Sequence, residues 1–349
     1  MDNQEQQHKR RERYKGTHPK AFKEKYKELQ PEKYADAVSK AIERGSTPAG
    51  MHIPICVREI LEILEIKPGQ TGFDATLGYG GHTLEMLKCL ESSGHIHATD
   101  VDPLELTRTT KRLADLGYGS EILTTHLRNF SEIDQIAAES GPFDFMLADL
   151  GVSSMQIDNP ERGFSYKREG PLDLRLNPKK GRSAADRLRA VSQSELEGML
   201  VENADEPHAK VIAIAIVSEI KKGNPIVTTS KLQQVIKSAL KSLPQATRDE
   251  EIKKSCQRCF QALRIDVNNE FEVLYEFLEK IPDALKSGGR VAILSFHSGE
   301  DRLVKKAFKR SFNEGIYGEI APDPIRPSSE ESHTNSRARS AKLRWAIKV

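Results

Sequence analysis

The sequence predicts an α/β fold: a doubly wound, mostly parallel sheet interrupted by a helical segment. Three observations predict it. Strand and helix patterns alternate regularly from Thr71 to Leu150. The alternation stops at Gly151 and gives way to a charged, helical stretch with no clear strand. It resumes at Gly288-Gly289-Arg290. Alternation at this spacing needs right-handed crossovers, and those build a parallel sheet.

Residues 1–50 read as an extension outside the core, with short amphipathic stretches at Pro19–Leu29 and Pro31–Arg44 and a breaker run from Gly45 to Gly50. In Cys56–Leu64 the apolar residues Val57, Ile60, Leu61 and Leu64 have helical spacing, and Lys67-Pro68-Gly69 closes that helix. Strands are expected at Thr71–Leu77, His95–Val101, Ile122–His126 and Phe143–Leu150, with a helix from about Thr83 to Leu90. Pro103 suits the first turn of the next helix, where a missing N–H does no harm. A fifth strand spans Arg290–Phe296, and a last alternating segment, Ala341–Val349, ends the chain.

The chain has 349 residues, 37% hydrophobic and 30% charged, with a net charge of +2. That length allows one large domain with an insertion, or two domains. No run approaches the ~18 apolar residues that a membrane span needs, and the polar, basic N-terminus has no signal-peptide core. Four cysteines suit a reducing cytosol better than a disulfide scaffold. A cytoplasmic protein with no membrane partner is expected. Both ends are basic: residues 1–50 carry twelve Lys/Arg against eight Asp/Glu, and residues 302–349 eleven against five. Solvated surfaces and nucleic-acid contacts both fit that distribution.

Phe73–His82 runs from a strand through Gly78-Tyr79-Gly80-Gly81 into a helix. Glycines let the backbone turn sharply and approach a ligand closely. A dinucleotide fingerprint needs a glycine three residues after Gly80, and that position is Thr83. A carboxylate-bearing nucleoside cofactor asks for less. Asp100 ends the second strand, where an acid can accept hydrogen bonds from ribose hydroxyls; Asp102 is the alternative by spacing. Asp149 ends the fourth strand, at the edge where doubly wound sheets bind ligands. Cys256-Gln257-Arg258-Cys259 lacks a second cysteine pair and reads as helix packing, so no metal is expected.

Several segments together resemble the MraW family of ribosomal RNA small subunit methyltransferases. They are His52-Ile53-Pro54, Ala75–Thr83, Asn129-Phe130-Ser131, Asp149–Ser154, Pro160–Phe164, Gly170–Arg175, Phe260–Glu270, Ser295–Arg302 and Arg337–Arg344. The resemblance implies a class I, Rossmann-like methyltransferase domain over 51–157 and 281–349, with a helical substrate-recognition insertion at 158–280. It implies S-adenosylmethionine as cofactor, lined by Gly80, Gly81, His82, Asp100, Phe130, Asp149 and Gln156. The implied reaction is methylation of cytosine N4 in the decoding centre of 16S rRNA, on the RNA or the small ribosomal subunit. The sequence departs from the family in Gly299, where leucine is usual, and in Asn335-Ser336, where Asn-Pro is common. Those departures and the extension leave open a same-fold enzyme with another substrate, or a non-catalytic RNA-binding assembly factor.

A cytosine amine is a poor nucleophile, and an acceptor near its proton would help it react. Asp149 is the first candidate, and Ser153, Ser154 and His297 are weaker ones, since a serine pair after a strand is also turn chemistry. For the substrate, Arg162 and Phe164 lie in a stretch that interleaves aromatic and basic residues, suited to bases and phosphates. Arg264, Asn268, Asn269 and Glu270 read as a polar wall near the site, and the resembling segments add Asp173, Arg175 and Arg302.

Overall fold

In the computed structural model, residues 54–335 and 338–349 are described. The expected extension 1–50, and His52, Ile53 and Arg337 of the resembling segments, lie outside the described residues.

Helix α1 (Val57–Leu64) follows from the predicted apolar spacing and buries Ile60 and Leu64. Then come β1 (Thr71–Asp74), α2 (Gly81–Cys89), β2 (His95–Thr99) and α3 (Pro103–Asp115). Asp102 caps α3 and Pro103 opens it, as the chain chemistry favours. Next are β3 (Leu123–His126), α4 (Ile133–Ser140), β4 (Phe143–Asp149) and α5 (Ser154–Asp158). A helical stretch follows: α6 (Ala184–Ala190), α7 (Gln193–Ala204), α8 (Ala209–Lys221), α9 (Thr229–Ala239), α10 (Gln245–Asn268) and α11 (Glu270–Ala284). The chain closes with β5 (Leu285–Ser295), α12 (Ser298–Asn313), β6 (Tyr317–Ile320), α13 (Ser329–Thr334) and β7 (Lys342–Lys348).

The seven strands stand in the order β3-β2-β1-β4-β5-β7-β6. Strands β1 to β5 pair in parallel, while β7 runs antiparallel to both β5 and β6. The expected doubly wound sheet is present, and strand order reverses between β1 and β4. Ligand crevices form outside the carboxyl ends at such a reversal. Strand β6 was not anticipated. It has four residues at the sheet edge, and only Tyr317 among them is buried, so it carries no alternation to read.

Alternating side chains of the central strands feed two cores, as a sheet covered on both faces requires. Phe145, Leu147, Ala292 and Leu294 join Ile60, Leu64, Met86 and Leu87 on one face. Phe73, Met146, Ala148, Val291 and Ile293 meet Ile133, Ile136, Phe277, Ile281 and Phe308 on the other. Burying each large side chain fully contributes about 1.5–3 kcal/mol. Residues of α6 to α10 form a third, separate cluster that takes in Phe164, Leu172 and Leu174. Helix α11 follows α10 directly through Asn269, yet its buried face joins the sheet. Among the described residues, no helix is long and apolar enough to cross a membrane.

Candidate active site

The carboxyl ends of β1, β2 and β4 converge at the strand-order reversal, and the turn after β1 is braced there. Gly78 (φ 48°) and Gly80 (φ 70°) occupy the left-handed region that glycine enters freely. Gly80 also has a packing reason: a Cβ would come within 2.7 Å of Thr109 Cγ2. From α3, the Thr109 hydroxyl donates to the Gly78 carbonyl at 2.5 Å. Arg112 lies 4.0 Å over the Tyr79 ring and donates to the Tyr79 carbonyl. Gly81 and His82 open α2, where first-turn N–H groups favour an anion.

Two acids compete at the end of β2. Asp100 is partly exposed; its Oδ2 accepts from the Gly78 N–H and its Oδ1 from the Asp102 N–H, both at 2.8 Å. Burial by its surroundings pushes the Asp100 carboxyl up to about 7 despite those bonds. Asp102 is 0% exposed and fully engaged. Its Oδ1 accepts from Leu104 N–H at 3.0 Å, and its Oδ2 from Gln156 Nε2 at 3.2 Å and Arg162 Nη1 at 2.5 Å. Only Asp100 keeps a face toward a ligand.

Asp149 sits at the end of β4, and its backbone N–H donates to Thr76 Oγ1 at 2.7 Å, tying the glycine turn to that strand. Its Oδ2 lies 3.4 Å from His82 Nδ1, while Oδ1 is buried without a hydrogen-bond partner. Burial pushes the carboxyl up to about 6; His82 opposes the rise, and Asp74 and Glu300 add to it. On its other side the His82 ring meets the Ile55 carbonyl through Nε2 at 2.9 Å. Asp74 lies beneath, accepting from the Thr83 hydroxyl at 2.6 Å and the Thr76 N–H at 2.9 Å.

His297 caps α12 after β5, with Nδ1 accepting from the Glu300 N–H at 3.4 Å. Its Nε2 is 3.1 Å from Glu300 Oε1 but makes no aligned hydrogen bond. Glu300 Oε2 accepts from the Phe296 N–H at 2.8 Å. Burial raises the Glu300 carboxyl, but His297 and Arg264 outweigh it and the net shift is downward. Arg264 grips both Glu270 oxygens at 2.8 Å. Asn268 donates to the Leu174 and Arg264 carbonyls and accepts from the Leu176 N–H, while Asn269 turns in the left-handed region between α10 and α11. These four therefore knit a helix joint to the loop beside it. Glu270, His297 and Glu300 bring ligand atoms within 4.8 Å of one another. The Arg264 guanidinium already stands where it would repel a cation.

The remaining predicted residues separate by what they touch. Ser153 caps α5, accepting from the Gln156 N–H at 3.1 Å, and Gln156 returns the bond through the Ser153 N–H. Phe130 is half-buried beyond β3, edge-on to Phe277 at 5.1 Å. Arg162 is 8% exposed and points at Asp102 and at the Arg175 and Leu176 carbonyls. Phe164 is buried in the helical cluster. Asp173 and Arg175 pair through two 2.7 Å bonds. Arg302 is exposed on α12, 3.8 Å from Asp205. Cys256 and Cys259 are buried on α10, and burial drives both thiols upward, away from the thiolate a metal needs.

Sequence reasoning passed over Thr76, Asp74 and Glu300. Glu300 had a signal: His297-x-x-Glu300 has the spacing of a capping box. Thr76 had none, since its partner lies 73 residues away.

Gly299 has a structural explanation. A Cβ there would meet Phe271 Cζ at 2.5 Å and His297 Nδ1 at 3.2 Å, and the Phe271 and His297 rings lie 5.8 Å apart. We expect Gly299→Leu to destabilise by about 1–3 kcal/mol through overpacking. Adding Phe271→Ala should recover most of that loss. Thermal unfolding of the two single variants and the double variant checks it; additive losses would mean Phe271 is not what excludes the leucine.

Residues 49–349 match the MraW methylase family. A relative from Alkaliphilus metalliredigens (strain QYMF), named ribosomal RNA small subunit methyltransferase H 2, is 74% identical over 349 residues and covers 100% of both chains. One from Lachnoclostridium phytofermentans, named ribosomal RNA small subunit methyltransferase H 1, is 67% identical, covering 100% of this chain and 95% of its own. One from Acidobacterium capsulatum, named ribosomal RNA small subunit methyltransferase H, is 37% identical, covering 85% of this chain and 98% of its own. A doubly wound sheet with this edge, and matches running from residue 49 to the last, make the chain a member of the MraW methylase family of S-adenosylmethionine-dependent methyltransferases.

Proposed function

We propose that the chain methylates the N4 amine of a cytidine in the decoding centre of 16S rRNA, on the RNA or the small ribosomal subunit, in the cytoplasm. The observation that carries this reading is Asp149: a buried carboxylate oxygen without a partner, at the sheet's ligand edge and beside a braced glycine turn. The names of the relatives support the RNA class. S-adenosylmethionine, when bound, supplies an electrophilic methyl group on a sulfonium.

The residues present fit that donor. Gly80 and Gly81 leave the turn without side chains at the N-terminus of α2, where the donor's carboxylate would lie. Asp100 would accept the ribose hydroxyls, and Phe130 offers an aromatic face beyond β3 for the adenine. Asp149 Oδ1 would accept an N4 proton and localise the amine's lone pair. Ser153 and Gln156 hold the loop that follows Asp149, and His297 caps α12 after β5. The α6–α10 layer would receive the RNA.

Ribose hydroxyls donate, so the donor prefers ionised Asp100. Because the free carboxyl stands at about 7, donor affinity should fall below that pH, by up to tenfold per unit. Calorimetry at pH 6 and pH 8 checks this; equal affinities, or an Asp100→Asn variant with the same pH dependence, would remove Asp100 from the ribose.

Arg302, Lys305, Lys306 and Lys309 share the exposed side of α12, which His297 caps. The three lysines have no ion-pair partner among the described residues. If phosphates take that place, replacing the three lysines with alanine should reduce the salt slope of RNA binding by about 0.7–0.9 per lost contact. An unchanged slope would assign this face to solvent.

The decisive assay supplies labelled donor to small subunits from a strain lacking this gene and any second copy. N4-methylcytidine in the 16S rRNA is expected. Methyl transfer elsewhere would redirect the substrate, and no transfer with intact donor binding would favour an assembly role.

A further inference from the structure

We infer that His82 is a positioning residue for methyl transfer: it shares one proton with Asp149 between Nδ1 and Oδ2, and so leaves Oδ1 as the oxygen that takes the proton from the amine. The inference rests on the N4-methylation reading for its consequence and on geometry alone for the pair.

The backbone fixes the ring. The Ile55 carbonyl can only accept, so Nε2, 2.9 Å away, carries a hydrogen and donates it. That leaves Nδ1 facing Asp149 Oδ2 at 3.4 Å, with His82 7% exposed. With no proton between them, two lone pairs would oppose each other where the imidazole is buried and the carboxylate only part-exposed. One shared proton removes the conflict, whether it sits on the imidazole or on the carboxyl.

Among the described residues, no other neighbour competes for this role. Asp74 on β1 is buried and committed to Thr83 and Thr76. Glu300 on α12 is committed to the Phe296 N–H and lies against His297. Cys56, just before α1, has its thiol pushed up to about 12, chiefly by burial, so it stays neutral. Asp74 and Glu300 push the Asp149 carboxyl upward and His82 alone draws it down.

The reaction balances on this pair. The N4 lone pair forms the bond to the methyl carbon while the carbon–sulfur electron pair stays on sulfur, leaving a neutral thioether. The proton released from N4 passes to Asp149 Oδ1. The proton at Oδ2 remains with, or moves to, His82 Nδ1, so the pair ends as a neutral acid accepting from an imidazolium. Loss of one proton to solvent resets it. His82 never touches the amine; it decides which carboxylate oxygen is basic and keeps that oxygen ionised.

The test begins on cofactor-free protein, by following the Asp149 side-chain carboxyl with carbon-13 NMR across pH. In the wild type the midpoint should lie near the value of about 6. His82→Gln substitutes a neutral side chain for the cation, so the midpoint should rise by about one pH unit or more. An unchanged or lower midpoint overturns the inference. In turnover, the acid limb of kcat should move up in pH by the same amount while the donor KM stays within a few-fold. A uniform loss of kcat with no displacement of the limb would also overturn it. Circular dichroism and thermal unfolding establish that the variant is folded, and His82→Asn, read in the same way, decides the matter if His82→Gln is not. Should the wild type transfer no methyl group to cytidine, the functional reading fails, while the carboxyl titration still decides the pair.

Discussion

Asp149→Asn should lower kcat by about 10²–10⁴-fold, the usual worth of a positioned general base, with donor affinity changed by less than tenfold. The amide has nearly the same shape as the acid and cannot take a proton. The variant should also be no less stable than the wild type at neutral pH, and that separates a functional residue from a structural one. In the native protein Asp149 is held at about 6 by burial, above its ordinary 3.8. Between those values the native state binds a proton that the unfolded chain releases, so stability falls as pH rises through this window and the penalty is complete above it. Asparagine removes that slope. Asp100, held at about 7, contributes a slope of the same sign that the variant retains. Melting temperatures across pH 4 to 8 would measure both, alongside single-turnover rates. A variant that keeps wild-type kcat would move the proton acceptor elsewhere, and one that unfolds at every pH would make Asp149 a structural residue.

How far the sequence carried this site depends on the range of the interactions. The sheet was legible because strand-like segments alternate with helical patterns, and every strand expected from Thr71 onward is present, although β5 starts at Leu285, five residues before its expected start at Arg290. Gly78 and Gly80 were legible because a left-handed turn leaves few choices of residue. Asp100 was picked over Asp102 by its place on the strand. The reason became visible only with Arg162 and Gln156, which reach Asp102 from 60 and 54 residues away and consume it. Arg162 illustrates the limit from the other side. An arginine between aromatics suggests phosphates, but periodicity does not tell an exposed cation from one folded back on a buried acid. Asn268 likewise reads as a polar group near a site, while its three bonds to the chain serve the joint between α10 and α11. Side chains that bond across 50 or more residues are silent in sequence because their partners are fixed only when the layers meet.

Asp102→Ala is expected to be the most destabilising single change near the site, by about 3–5 kcal/mol, the cost of breaking a buried ion pair from one side. Three losses combine. The cap of α3 at the Leu104 N–H disappears, worth about 1 kcal/mol. Gln156 loses its acceptor. Arg162, itself only 8% exposed, keeps its bonds to the Arg175 and Leu176 carbonyls but no longer has the carboxylate at 2.5 Å that balances its charge. The third loss dominates, because a buried guanidinium without an anion costs more than either neutral bond. Asp102→Asn should therefore recover the cap and little else, falling between wild type and alanine. Asp102→Ala combined with Arg162→Met should be more stable than Asp102→Ala alone, since an apolar side chain of similar length removes the stranded charge. Denaturant midpoints of wild type, Asp102→Ala, Arg162→Met alone and the double variant form a double-mutant cycle. A coupling under about 0.5 kcal/mol would mean the pair contributes little beyond the cap. A large coupling would identify Asp102–Arg162 as the contact through which the loop after α5 is fastened to the strand end that carries Asp100. Loosening it should then weaken donor binding without any change in the residues proposed to touch the donor.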